Sequence, residues 1–105
     1  LAARSRRLYV SAWNETVDVI DARSLEVQMT YDVAYSYEWL AVDDEERWLL
    51  LATSTVLDLL DLRTGERVAR RTTPAPISSV VMTGPGQALV GLASGELLTA
   101  SWPVV

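Results

Sequence analysis

Carboxylates recur in this chain at a fixed spacing. Asp18 and Asp21 return 40 residues later as Asp58 and Asp61. Paired carboxylates can do general acid–base work. A catalytic pair is needed only once, however, so repetition in register points to a structural duty. Asp21-Ala22-Arg23-Ser24 recurs as Asp61-Leu62-Arg63-Thr64-Gly65, and an Asp in that place can accept backbone N–H bonds two or three residues on. Asp21, Asp61 and Gly65 are therefore expected to fix hairpin turns. Asp18 and Asp58 alternate with apolar residues and are expected to face water or the Arg of a neighbouring unit. A second acidic group, Asp43-Asp44-Glu45-Glu46, offers oxygen ligands of the kind Ca²⁺ or Mg²⁺ takes. Its spacing fits no EF-hand loop, no Gly supplies the sharp turn, and the positions 40 residues on are Thr83-Gly84-Pro85-Gly86. It is read as a solvated turn, with no metal expected.

Aromatic residues form the other concentration. Tyr31, Tyr35, Tyr37 and Trp39 lie close together beside Glu38, and Trp13 stands next to Asn14 and Glu15. Aromatics with an adjacent carboxylate suit protein recognition, because they offer large contact area with a polar handle. Trp13, Asn14, Glu15, Tyr35, Tyr37 and Glu38 are the candidate partner-binding residues. Some of the aromatics, Tyr31, Tyr37 and Trp39 among them, are also candidates for packing between structural units.

The missing residue types narrow the chemistry. The 105 residues include no His, Cys, Lys or Phe, and the net charge is −5. There is no Cys/His zinc site, no Cys or Ser-His-Asp nucleophile and no disulfide. Gly84-x-Gly86 is too short for a phosphate loop, and Ser94-Gly95 lacks the nucleophile-elbow pattern. The expectation is no catalytic residue and no cofactor, with enzymatic activity disfavoured. An acidic balance argues against a phosphate-backbone binder, so no nucleic acid is expected. The longest wholly apolar run, Trp48 to Ala52, is far short of the roughly 20 residues a membrane helix needs, so no membrane insertion is expected. Zero Cys suits either redox compartment, with a slight preference for the cytoplasm.

The elements that carry these residues follow from a repeat. RLYVSAWNETVDVIDARSLEV, residues 7–27, aligns with RWLLLATSTVLDLLDLRTGER, residues 47–67, without a gap at an offset of 40, with six identities in 21 positions. A fainter third copy, QALVGLASGELLTASW, keeps the register. Each copy reads as short strands. Leu8 to Trp13 and Trp48 to Thr53 are apolar and β-rich, as in a strand covered on both faces. Val17 to Ala22 and Val56 to Leu62 follow after short polar links. A more polar strand comes next, from Glu26 and from Glu66, and a fourth begins near Tyr37 and Ile77. Thr53-Ser54-Thr55-Val56 disfavours a helix through the Leu-rich stretch.

Four strands in about 40 residues resemble a β-propeller blade. "LYV", then a polar turn, "V-x-V-I-D" and a "T-G" turn resemble blades of the YVTN type. The layout is also WD-repeat-like, although the Gly-His and Trp-Asp signatures of those blades are absent. The resemblance implies an all-β fold of antiparallel four-stranded blades, about two and a half in this chain and no complete ring. Its parts are a blade fragment at 1–35, a complete blade at 36–75 and a partial blade at 76–105. On that reading the chain begins at the second strand of its first blade. The function expected is a non-catalytic protein–protein interaction scaffold. Its partners are other blades, other subunits or a partner chain, and an oligomer is allowed. The alternative is part of an enzymatic or ligand-sensing propeller, quinoprotein-like or lactonase-like, whose site lies in other blades.

Overall fold

The computed structural model describes residues 2–4, 6–12, 14–84 and 86–102, with side chains for 6–11, 14–84 and 86–102. The described residues hold eleven strands and no helix. They form three antiparallel sheets that do not close a ring.

The first sheet runs β1 (Ala2–Arg4), β2 (Arg7–Ala12), β3 (Thr16–Asp21), β4 (Val27–Asp32). The second runs β5 (Trp39–Val42), β6 (Trp48–Thr53), β7 (Val56–Asp61), β8 (Glu66–Thr72). The third has three strands, β9 (Ile77–Gly84), β10 (Gln87–Leu92) and β11 (Leu97–Ser101). The leading strands lie side by side, β1 against β5 and β5 against β9. The sheets thus fan out from a common inner edge, as propeller blades do. One strand differs from the sequence reading, because β1 precedes the expected start of the first sheet. Ala2–Arg4 pairs antiparallel with β2, and its short Ala-rich sequence left no pattern to read.

The second sheet is buried on both sides, which explains its continuous apolar runs. Leu49, Leu51 and Leu60 pack against Tyr9, Val17 and Val19 of the first sheet. Trp48, Leu50, Leu57 and Leu59 pack against Ile77, Met82, Ala88 and Val90 of the third. Each fully buried Leu contributes about 2 kcal/mol. The face of each sheet turned toward lower residue numbers is called its back face, and the other its front.

The first two sheets share one strand order, but their strands do not all match at one offset. β3 and β7 match at an offset of 40, and both carry a bulge against the next strand, between Val19/Ile20 and Leu59/Leu60. β2 and β6 do not match at that offset. Arg7 pairs with Asp21 as Trp48 pairs with Asp61, an offset of 41. The extra residue lies in the link at 13–15, which is two residues long at 54–55. Since strand side chains alternate faces, the slip decides which residues are equivalent. Tyr9 corresponds to Leu50, both on front faces. Leu8 and Val10 correspond to Leu49 and Leu51.

Candidate functional site

The links between sheets and the links inside them meet on one side of the molecule. The Val33 N–H donates to the Glu15 carbonyl (2.9 Å), and the Glu38 N–H to that of Ala52 (3.0 Å). The first bond recurs one sheet on, from the Thr73 N–H to the Thr55 carbonyl (2.8 Å), and the Ile77 N–H of the third sheet donates to the Ser54 carbonyl in the link of the second (2.7 Å). These bonds bring together the segments that carry the expected binding residues. Trp13 lies outside the described residues. Asn14 and Glu15 are exposed in the first link, where Asn14 Oδ1 accepts from Thr16 Oγ1 at 2.7 Å. Glu15 is held in the left-handed region at φ 60.

Tyr35 and Tyr37 have opposite fates. Tyr35 is 42% exposed, whereas Tyr37 is 5% exposed and reaches into the space between the first two sheets. There the Tyr37 hydroxyl donates to Asp58 Oδ2. Asp58 is itself 1% exposed. It also receives both arms of Arg70, Nε to Oδ1 at 2.7 Å and Nη2 to Oδ2 at 3.0 Å. A buried carboxylate is tolerated only when paired and hydrogen-bonded, and here a bidentate guanidinium and a phenol do both. Burial, then the hydrogen bond and charge of Asp58, push the Tyr37 hydroxyl well above the ordinary range for Tyr. Hydrogen bonding to Asp58 raises Arg70 likewise.

This buried group fixes the exposed one. The Arg70 guanidinium lies over the Tyr35 ring, 5.1 Å from its centroid. Tyr35 meets Tyr37 edge to face at 5.9 Å. Tyr35 is therefore held at the surface by two partners before anything binds. Glu38 is exposed beside it, its Oε1 facing Thr53 Oγ1 at 3.4 Å. Trp39 stays partly exposed at the start of β5. A cleft of about 240 Å³ opens next to Tyr37 and Asp58, bounded by Asp32 and Arg67.

The opposite side is built of turns. Asp21 Oδ1 accepts from the N–H groups of Arg23 (2.8 Å) and Ser24 (3.0 Å), and these bonds lower its carboxyl below the ordinary value. Asp61 Oδ1 accepts from the Arg63 N–H at 2.9 Å. Burial works against ionisation of Asp61, but its bonds with Arg63 outweigh that and lower its carboxyl too. Each turn then needs a left-handed residue, supplied by Gly65 (φ 75) and by Leu25 (φ 61) at the matching place. The Tyr31 ring lies over Gly65, 3.1 Å from where a Cβ would stand.

The acidic run is less solvated than its composition suggests. Asp43 is buried, and its Oδ1 accepts from the N–H groups of Arg47 (2.8 Å) and Trp48 (2.9 Å). Glu46 accepts from the Tyr9 hydroxyl at 3.0 Å, and burial plus that contact push Tyr9 up to about 12. Among the described residues, no three acidic side chains converge as a metal site would require.

The Asp58–Arg70–Tyr37 group is what sequence reasoning missed. Asp58 does meet an Arg, but one from its own sheet rather than a neighbour's. The signal was an Asp repeated in register, here inside a run too apolar to be exposed. In the first sheet the equivalent pair is Asp18 and Thr30, joined by a 2.8 Å hydrogen bond.

Comparison with known proteins places the architecture. No family model matches the chain, and no curated protein sequence matches it. Solved structures do. A chain of Kuenenia stuttgartiensis hydrazine synthase superposes with a TM-score of 0.73 at 16% identity, covering 87% of this chain and 28% of that one. The β-propeller domain of Myceliophteria thermophila Cps50 (Swd1) gives 0.69 at 18% identity, covering 95% and 36%. The three sheets are a partial β-propeller. The chain spans about a third of the length of the structures it matches.

Proposed function

We propose that this chain is a non-catalytic protein–protein interaction scaffold within a β-propeller completed by further blades or subunits. Its recognition face is the one that carries Asn14, Glu15, Tyr35 and Glu38, with Trp13 in the adjoining link. The observation that supports this most is Tyr35. It is exposed, aromatic and held in place by Arg70 and Tyr37. Binding a partner there costs little side-chain ordering, which favours affinity. Tyr37 serves this face from beneath, as a support rather than a contact.

The test is affinity capture by the chain against a Tyr35→Ala, Glu38→Ala double variant with the same melting temperature. A partner retained by the wild type and lost at least tenfold by the variant supports the reading. Equal retention by both defeats it. The second reading is an enzymatic or ligand-sensing propeller. One structural neighbour is an enzyme by name, which is the observation in its favour.

A further inference from the structure

The fourth strands of the first two sheets are outer edges of opposite character. Among the described residues, no strand pairs with the free side of β4 or of β8. Such an edge presents unpaired backbone N–H and C=O groups, and charged side chains are a common guard against a foreign strand. β8 carries that guard, with Glu66, Arg67, Arg70 and Arg71 among its seven residues. β4 does not. Its sequence is VQMTYD, and its one charge, Asp32, stands at the last position. Both ladders hold the same bulge, so the bulge does not make the difference. Val27 and Met29 of β4 are more than half exposed.

A cleft opens beside the bare edge. It holds about 330 Å³ on the front face of the first sheet, against the turns of the second. Val19, Met29 and Leu62 give it apolar walls. Tyr31 bounds it, with a hydroxyl already donated to the Leu62 carbonyl at 2.7 Å. Arg7 and Arg63 line it too, and both are exposed. The Arg63 guanidinium meets Asp61 only at 3.5 Å. Glu46, the carboxylate of the lining, already accepts from the Tyr9 hydroxyl. Met29 belongs to both features, as a rung of the edge and as a wall of the cleft.

We infer that β4 accepts an extended segment of a partner protein as a fifth strand, and that side chains of this segment enter the cleft. In such pairing the backbone bonds give affinity, and pockets for alternate side chains give specificity. Side chains of an added strand alternate faces, so every second one stands on the front face, beside Met29 and Tyr31. The cleft selects an apolar side chain there, against Val19, Met29 and Leu62. The next residue on that face, two places along, meets Arg7 or Arg63. These are local cations on a chain whose net charge is −5. The segment is therefore an extended one with an apolar residue and a carboxylate two residues apart. The surface shares no residue with the face that carries Tyr35 and Glu38, and so goes beyond the function proposed above.

The test is fluorescence anisotropy with a labelled synthetic peptide, acetyl-Thr-Glu-Thr-Leu-Thr-Glu-Thr-amide, whose symmetry serves either strand direction. Saturable binding is expected below about 1 mM, the weak end of the affinity scale. N-methylation of the Leu and of the Thr after it keeps every side chain but blocks both edges of the peptide, and should abolish binding. Met29→Glu should weaken binding about tenfold. Gln28→Glu replaces it if circular dichroism shows that Met29→Glu fails to fold. Arg63→Glu should come to prefer a peptide with Lys in place of both Glu residues. The Tyr35→Ala, Glu38→Ala variant should bind the peptide as the wild type does, so the two surfaces stand or fall separately. No saturable binding, equal binding of the N-methylated peptide, an edge variant that binds like the wild type, or an Arg63→Glu variant that still prefers Glu would each overturn the inference. Loss of the peptide in the Tyr35→Ala, Glu38→Ala variant would overturn it as well.

Discussion

Asp58 and Asp18 occupy one position in two successive sheets and live in different worlds. Asp58 is sealed under the first sheet, gripped by Arg70 and bonded by Tyr37. Asp18 faces an open surface, and its cross-strand partner is the exposed Thr30. The ladder that sets the pair, β3 to β4 or β7 to β8, is the same. What differs is whether a neighbouring sheet covers it. Burial raises the cost of an unpaired carboxylate, so the covered copy carries a cation and a second donor where the open copy carries a hydroxyl. Covering also acts on the turns. Gly65 lies under Tyr31, while Leu25 tolerates a left-handed backbone in the open.

The largest expected effect comes from deleting each Asp in turn. Asp58→Ala leaves the Tyr37 hydroxyl buried without its acceptor and Arg70 without its anion. Arg70 is one-third exposed, so the loss falls at the low end of the range for broken buried pairs, about 3 kcal/mol. Asp18→Ala should cost within about 0.5 kcal/mol, as exposed substitutions do. Urea unfolding of both variants measures the contrast, and equal losses would erase it.

Tyr37→Phe is the next step down. It removes one donor from a buried carboxylate, at about 1–3 kcal/mol. It also changes the alkaline behaviour. Tyr37 ionises above 10.0 when folded and near 10.0 when unfolded. Its contribution is therefore complete below pH 10 and is lost as pH rises beyond that. Melting temperatures from pH 8 to about 11 should fall less steeply in Tyr37→Phe than in the wild type. The fall that remains belongs to Tyr9, which is raised to about 12, and to Tyr31, which burial also raises. Parallel curves would show that Tyr37 is not the group responsible.

The smallest effect sharpens the comparison of turns. Leu25→Gly should stabilise the chain by about 1 kcal/mol, because a left-handed conformation costs a side chain and costs glycine almost nothing. Thermal unfolding reads this directly. A neutral or destabilising result would mean that the Leu25 backbone is not strained.

Much of the fold was legible, for reasons that also mark where legibility stopped. The turns showed through because Asp21 and Asp61 act within three residues of themselves. β7 showed through because Asp58 and Asp61 anchor its phase. The phase of β6 did not. A strand covered on both faces is apolar at every position, and Trp48 to Ala52 has no alternation by which to place it against β2. The Asp58–Arg70 pair was hidden for a related reason. Its members are 12 residues apart across a bulge, so their meeting depends on a register that composition does not carry. Tyr35 and Tyr37 stood out together as aromatic, but only the packing of the first sheet decides which one is buried.

The extra residue at 13–15 has a consequence for how such units can be exchanged. A chimera cut at a fixed spacing of 40 inside β2 would join halves that disagree about inside and outside. Tyr9 would then fall in the place of Leu49, aimed at the wrong neighbour. Cutting within the link itself leaves both strands in phase. The link at 13–15 is thus a seam at which a unit can gain a residue without turning a strand inside out. That link is also the segment that carries Asn14 and Glu15.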